Sequence, residues 1–260
     1  MIDQEALARD GWVTGPLLAS AEVEVLRRGF DVLGLPAEHG FYASANQPDR
    51  AVAARVDEAV RRVAGPRLEA ALPGLRPFLG SYLSKGAGNG PTISFHQDLT
   101  YTDERTDRAT IVWIALDDVD AASGALHVVT GSHRWTTGCR PGGADELPTE
   151  AHQDAFAALA QPVPLPAGHA VFYDAGLVHG SKATDGPRPR TAVGVALAPA
   201  PAPLLHVHWL DRQPVAFQVD ARYYAEQGLL NPPVGYPRTA CWAPPTPAED
   251  FVPHLAGVRA

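Results

Sequence analysis

His96-Gln97-Asp98, followed far downstream by His179-Gly180-Ser181 and then Arg190, carries the residue types of a metal-centred redox site. Two imidazoles and one carboxylate can occupy one face of an Fe(II) ion and leave its other positions open for a cosubstrate and O2. Arg190 offers a planar fork that can grip a carboxylate on that cosubstrate. Together these residues point to oxygenase chemistry rather than to a binding module.

The tripeptide alone is not decisive, and the chain holds its own control. His152-Gln153-Asp154 repeats it within TEAHQDAFAALAQ, an Ala-rich stretch that reads as helix. On a helix, positions i and i+2 lie about 200° apart and cannot share an ion. His96 and Asp98 lie instead in TISFHQDLTY, whose Thr, Ile, Phe and Tyr residues favour a strand. On a strand, i and i+2 share a face, while Ile93, Phe95 and Leu99 fall on the opposite one and anchor the strand in the core.

The third ligand must come from elsewhere, among His127, His133, His169, His179, His206 and His208. His179 fits best. It ends the apolar run AVFYDAGLV and precedes Gly180-Ser181, the pattern of a strand mouth facing a cavity. Arg190 follows after 190 − 179 = 11 residues, across the turn-rich TDGPRPR, so a hairpin is expected to return it beside the strand of His179. His206-x-His208 is a rival pair at strand spacing, but no Gly-rich mouth precedes it. His127 and His133 are expected to hydrogen-bond within a turn.

The elements that must position these residues follow from periodicity. Ser20 is expected to cap a helix over AEVEVLRRGFDVLG, with Val23, Leu26, Phe30 and Leu33 on one face and Gly34 past its end. A second helix reads through DRAVAARVDEAVRRVAG, with Val52, Val56, Val60 and Val63 on one face, and a third, shorter one after Pro66. From about Arg76 the pattern changes to short β runs separated by Gly, Asp and Pro, interrupted once by a helix over about 145–160. Their spacing suggests a sandwich or jelly roll. The residues from about Gln227 read as a Pro- and aromatic-rich coil wrapping the core.

Composition narrows the function classes. A chain of 260 residues with 45% hydrophobic residues can bury a sizeable core and fits one domain. Net charge is −8 and no basic patch is present, which disfavours nucleic acid. No apolar run approaches a membrane span and no leader pattern opens the chain, so a soluble, cytoplasmic protein is expected. Cys139 and Cys241 are the only cysteines and match neither a disulfide framework nor a zinc spacing.

With these residues in view, the chain resembles the phytanoyl-CoA dioxygenase (PhyH) family of Fe(II)/2-oxoglutarate oxygenases. The resemblance runs from RDGWV near the start, through FHQD and SGALHVVTGSHR, to HGS and Arg190. It implies a mainly β, double-stranded β-helix (jelly-roll) core with flanking N-terminal helices. The whole of 1–260 would form one oxygenase domain: a mostly helical flank over 1–75, the core over 76–210 and a C-terminal wrap over 211–260. It implies His96, Asp98 and His179 as metal ligands, and Arg190, Ser181 and Trp113 as residues holding 2-oxoglutarate. Cofactor and cosubstrates would be Fe(II), 2-oxoglutarate and O2, with succinate and CO2 released. Related halogenases lack the carboxylate, so Asp98 favours hydroxylation or a related oxidation. Thr184 and Gly168-His169 depart from the family pattern near the distal strand and leave substrate choice open. The expected substrate is a small metabolite, plausibly of natural-product biosynthesis, free or tethered to a carrier protein. Two readings compete: a cupin-like metal enzyme that uses His206 and His208 without 2-oxoglutarate, and a non-catalytic ligand-binding member of the family. Tyr82, Tyr101, Trp135, Trp209 and Trp242 are candidate pocket aromatics against a core role.

Overall fold

A computed structural model describes residues 2–256 apart from 36–39, 89, 144–147, 185, 187 and 212. Helices are α1 (Gln4–Asp10), α2 (Ser20–Val32), α3 (Arg50–Ala71), α4 (Gln153–Leu159), α5 (Ala221–Glu226) and α6 (Val252–Leu255). Strands β1 (Trp12–Pro16), β2 (Phe41–Ala43), β3 (Leu75–Lys85), β4 (Ile93–His96), β5 (Thr110–Ala115), β6 (Leu126–Val128) and β7 (Gln161–Val163) come first in the chain. They are followed by β8 (His169–Asp174), β9 (His179–Ser181), β10 (Arg190–Pro199), β11 (Leu204–Leu210), β12 (Gln213–Val219) and β13 (Arg238–Thr239).

The strands form three antiparallel sheets, ordered β1-β8-β5-β10-β3-β2, β4-β9-β6-β7 and β11-β12-β13. This is the mainly β, jelly-roll architecture with helical flanks. The six-stranded sheet is buried on both faces, and the strand period of two sorts its side chains. Val112, Ile114, Phe172, Val193 and Val195 face the helices, where they join Val23, Leu26 and Phe30 of α2 and Val56, Val60, Ala64 and Leu68 of α3. The alternate residues, Ile111, Trp113, Val171, Tyr173 and Ala192, face the inner core. Every side chain at the candidate site that comes from this sheet therefore projects from that inner face.

Several expectations need correction. Ser20 is the first residue of α2 and not its cap; Ala19 holds that place, and its N–H donates to Glu22 at 2.8 Å. The helix expected to end at Pro66 continues to Ala71. Val56, Val60, Ala64 and Leu68 carry one buried stripe past the proline, and that packing outweighs one missing N–H bond. The mostly helical flank also supplies β1 and β2 to the two edges of the large sheet, and the wrap supplies β12 and β13. The helix expected over about 145–160 begins in part outside the described residues; what is described is a 3-10 turn at Glu150–His152 leading into α4.

Candidate metal centre and carboxylate pocket

His96 ends β4, Asp98 lies two residues beyond it, and His179 opens β9. The two strands pair antiparallel with His96 opposite His179, which sets the imidazole centroids 4.4 Å apart. One donor atom from each of His96, Asp98 and His179 lies within 4.8 Å of the others. Such close pairing needs a glycine between the ligands and the sheet partner: a Cβ on Gly180 would stand 2.7 Å from the Ile93 carbonyl oxygen.

The imidazoles are set up to bind through one nitrogen. In each, Nδ1 lies near the backbone carbonyl two residues earlier, His96 to Ser94 at 2.8 Å and His179 to Leu177 at 2.9 Å. A proton on Nδ1 satisfies those contacts and leaves both Nε2 lone pairs available. Burial, and next the neighbouring His96, push the pKa of His179 down to about 4, so its ring is neutral at pH 7. Asp98 is held on its main chain as well: its N–H donates to the Ala175 carbonyl at 2.9 Å and its carbonyl accepts from Arg140 Nε. Two imidazoles and one carboxylate form a donor set suited to Fe(II) and leave room for exogenous ligands.

Arg190 does not return beside the strand of His179, as a hairpin would bring it. The chain between them crosses from the four-stranded sheet to the six-stranded one, where Arg190 opens β10 opposite Lys85 of β3. Lys85 meets β9 from across the sandwich. Lys85 Nζ donates to Ser181 Oγ at 2.8 Å and to the Lys182 carbonyl. The Arg190 guanidinium lies 5.1 Å from the Trp113 ring centroid and donates from Nη2 to the Gly124 carbonyl at 3.1 Å. Its Nε and Nη1 are buried with no partner. Burial lowers the Arg190 pKa to about 10, still charged at pH 7; burial, and next Arg190 itself, lower that of Lys85 to about 7. Two buried cations side by side, with free donors on one of them, make a receptor for an anion.

Lys85 escaped the sequence reading. A lysine at the end of a strand reads as a solvated charge, and only the pairing of β3 with β10 reveals it fully buried beside Arg190. Tyr173 was also missed, inside what read as a plain apolar run. Its hydroxyl donates to Asp98 Oδ2 at 3.1 Å and lies 3.4 Å from His179 Nε2.

The rival histidines lie elsewhere. His206 and His208 share a face of β11, with Nε2 and Nδ1 3.2 Å apart, and among the described residues they join no group of three metal-ligating side chains. Burial, and next His208, push the pKa of His206 down to about 3. His133 contacts the Ala8 carbonyl from a 3-10 turn, whereas His127 lies on β6 and not in a turn, contacting the Ala125 carbonyl. Among the described residues His152 and Asp154 join no group of three metal-ligating side chains; His152 contacts the Ala248 carbonyl at 2.8 Å.

A cavity of about 610 Å³ opens beside the triad, lined by His96, Gln97, Leu99, Arg140, Thr149 and Trp209 among others. Of the five candidate pocket aromatics, only Trp209 lines it. Tyr82 and Tyr101 are core residues, Trp135 stacks on His254 at 4.9 Å, and Trp242 packs with the Cys139 cluster. Arg140 has no free charge to offer, since it forms a buried ion pair with Glu104 and bonds the Asp98 carbonyl.

A jelly roll with two histidines and a carboxylate at one end of its inner face, and a buried arginine nearby, defines the non-haem iron oxygenase class. The sequence profile of "Phytanoyl-CoA dioxygenase (PhyH)" matches residues 24–192, and the chain belongs to that family. It is accordingly an enzyme of the Fe(II)- and 2-oxoglutarate-dependent dioxygenases. Among solved structures, EvdO2 from Micromonospora carbonacea var. aurantiaca is similar at 24% identity, over 77% of this chain and 92% of that one, with a TM-score of 0.55. The epimerase SnoN from nogalamycin biosynthesis is similar at 22% identity over 92% of each chain, TM-score 0.55. HygX from Streptomyces hygroscopicus, with iron bound, is similar at 15% identity over 76% of this chain and 87% of that one, TM-score 0.54. At these identities the likeness is one of fold. The comparison with curated proteins gives no match. No helix among the described residues is long and apolar enough to cross a membrane.

Proposed function

We propose that this chain oxidises, by hydroxylation, a small-molecule metabolite of natural-product biosynthesis, with His96, Asp98 and His179 holding iron and Arg190, Ser181, Trp113 and Lys85 holding 2-oxoglutarate. The observation that carries the reading is the buried, half-unpartnered guanidinium of Arg190, which stands opposite Lys85 in the sheet, itself bonded to Ser181. Ser181 lies on the same face of β9 as His179, about 6.6–6.8 Å further along the strand. A five-carbon diacid that reaches the metal with one end can therefore present its other carboxylate to this pocket.

When bound, iron supplies the redox chemistry that couples oxidative decarboxylation of 2-oxoglutarate to substrate oxidation. The chain's own residues bind and orient. His96 and His179 offer Nε2 atoms, Asp98 offers a carboxylate, and Arg190 and Lys85 neutralise the distal carboxylate in a site screened from water. Asp98 fills the place that a halogenase leaves to chloride. The cavity matches the size of a mid-sized metabolite. With Arg140 spent on Glu104, the described lining residues offer no free guanidinium or ammonium to the phosphates of a CoA thioester. The similar structures of the epimerase SnoN and the carbocyclase SnoK from nogalamycin biosynthesis support the substrate class.

The test is a metabolite screen that reads succinate release and product mass, with and without chloride. The expected product gains one oxygen and no chlorine. A chlorine isotope pattern from the unaltered protein overturns the role of Asp98, and no 2-oxoglutarate-dependent succinate under any metal overturns the reading. His96→Ala and His179→Ala are expected to lose metal binding, whereas His206→Ala and His208→Ala keep it.

A further inference from the structure

We infer that Tyr173 is a positioning residue that orients the Asp98 carboxylate for metal binding; this rests on the metal-centre reading above. Tyr173 lies on β8, in the six-stranded sheet, and projects across the inner core to ligands carried by the opposite sheet. Its hydroxyl donates to Asp98 Oδ2 at 3.1 Å, and its ring packs on His179 with centroids 4.7 Å apart. Its ring is buried in the inner core.

Asp98 lies two residues past the end of β4, outside the ladder that aligns His96 with His179. The Ala175 and Arg140 contacts hold its main chain but leave χ1 and χ2 free. Among the hydrogen bonds of the described residues, the phenol makes the one that reaches the carboxylate. It fixes the direction of the carboxylate, whose Oδ2 lies 3.9 Å from His179 Nε2, so the third ligand is oriented before metal arrives.

Tyr173→Phe removes the hydroxyl and keeps the ring. Titration with Co(II) is expected to show affinity about 10–100-fold weaker than in the unaltered protein. The Co(II) ligand-field spectrum is expected to shift, while thermal unfolding of the metal-free protein stays near that of the parent. In the Asp98→Ala background the same change should have no further effect on Co(II) affinity, because there is no carboxylate left to orient. Parental affinity and spectrum in Tyr173→Phe overturn the proposal, as does an equal loss with and without Asp98. A misplaced metal centre gives a different result: His96→Ala and His179→Ala would then retain Co(II).

Discussion

At the scale of single residues, the unusual feature is charge without a counter-ion. Arg190 is buried with Nε and Nη1 unpartnered, next to a buried Lys85. Loss of a charge-assisted partner at such a site costs roughly 2–5 kcal/mol, or about 30-fold to several thousand-fold in affinity. Arg190→Ala is therefore expected to raise the 2-oxoglutarate requirement by that factor and to leave metal affinity near parental. Titrating 2-oxoglutarate against the charge-transfer absorbance of the Fe(II) complex measures it; unchanged affinity would assign the anchor to another residue. The two histidines, the carboxylate and Arg190 stood out in the sequence by residue type, whereas Ser181 and Trp113 entered only through the family resemblance. Lys85 and Tyr173 were not legible there, because their roles arise only where a second sheet folds over them.

Among elements, the pairing of β4 with β9 decides the site. His96 faces His179 across it, and Gly180 lets the strands approach. Gly180→Ala puts a methyl group 2.7 Å from the Ile93 carbonyl oxygen, so the strands must part. The expected cost is about 1–3 kcal/mol of stability together with weakened metal binding, read by chemical denaturation and Co(II) titration. If metal affinity were untouched, the pairing would not set the ligand spacing. The run from His169 to Ser181 shows where sequence reading stopped. It reads as one β run, yet Asp174 to Leu177 make a turn, with the Leu177 N–H donating to the Asp174 carbonyl at 2.8 Å, and β8 and β9 enter different sheets. Local periodicity identifies strands but carries no information on which sheet receives them. The expected hairpin between His179 and Arg190 failed for the same reason. Pro66 failed differently, since a buried stripe on α3 overrode the local breaker.

Over the whole molecule, buried neutral histidines tie stability to pH. His179 titrates near 4 and His206 near 3 when folded, both lowered by burial, against about 6.5 when unfolded. The unfolded chain therefore binds more protons below pH 6.5. Stability is fully present above that value and falls as the medium becomes more acid toward the folded pKa values. Between pH 7 and pH 5 each group is expected to withdraw about 2 kcal/mol, measured by urea denaturation of the metal-free protein. A flat profile would mean that these rings are not desolvated. The topology of the six-stranded sheet also governs when it can assemble. Its edge strand β1 is laid against β8, with Trp12 opposite Tyr173, a separation of 173 − 12 = 161 residues. Loops of that length close late and slow the search for the native topology. During synthesis, Trp12–Pro16 must therefore wait without a partner until β8 has emerged, and until then nothing from the N-terminal segment covers the open edge of β8.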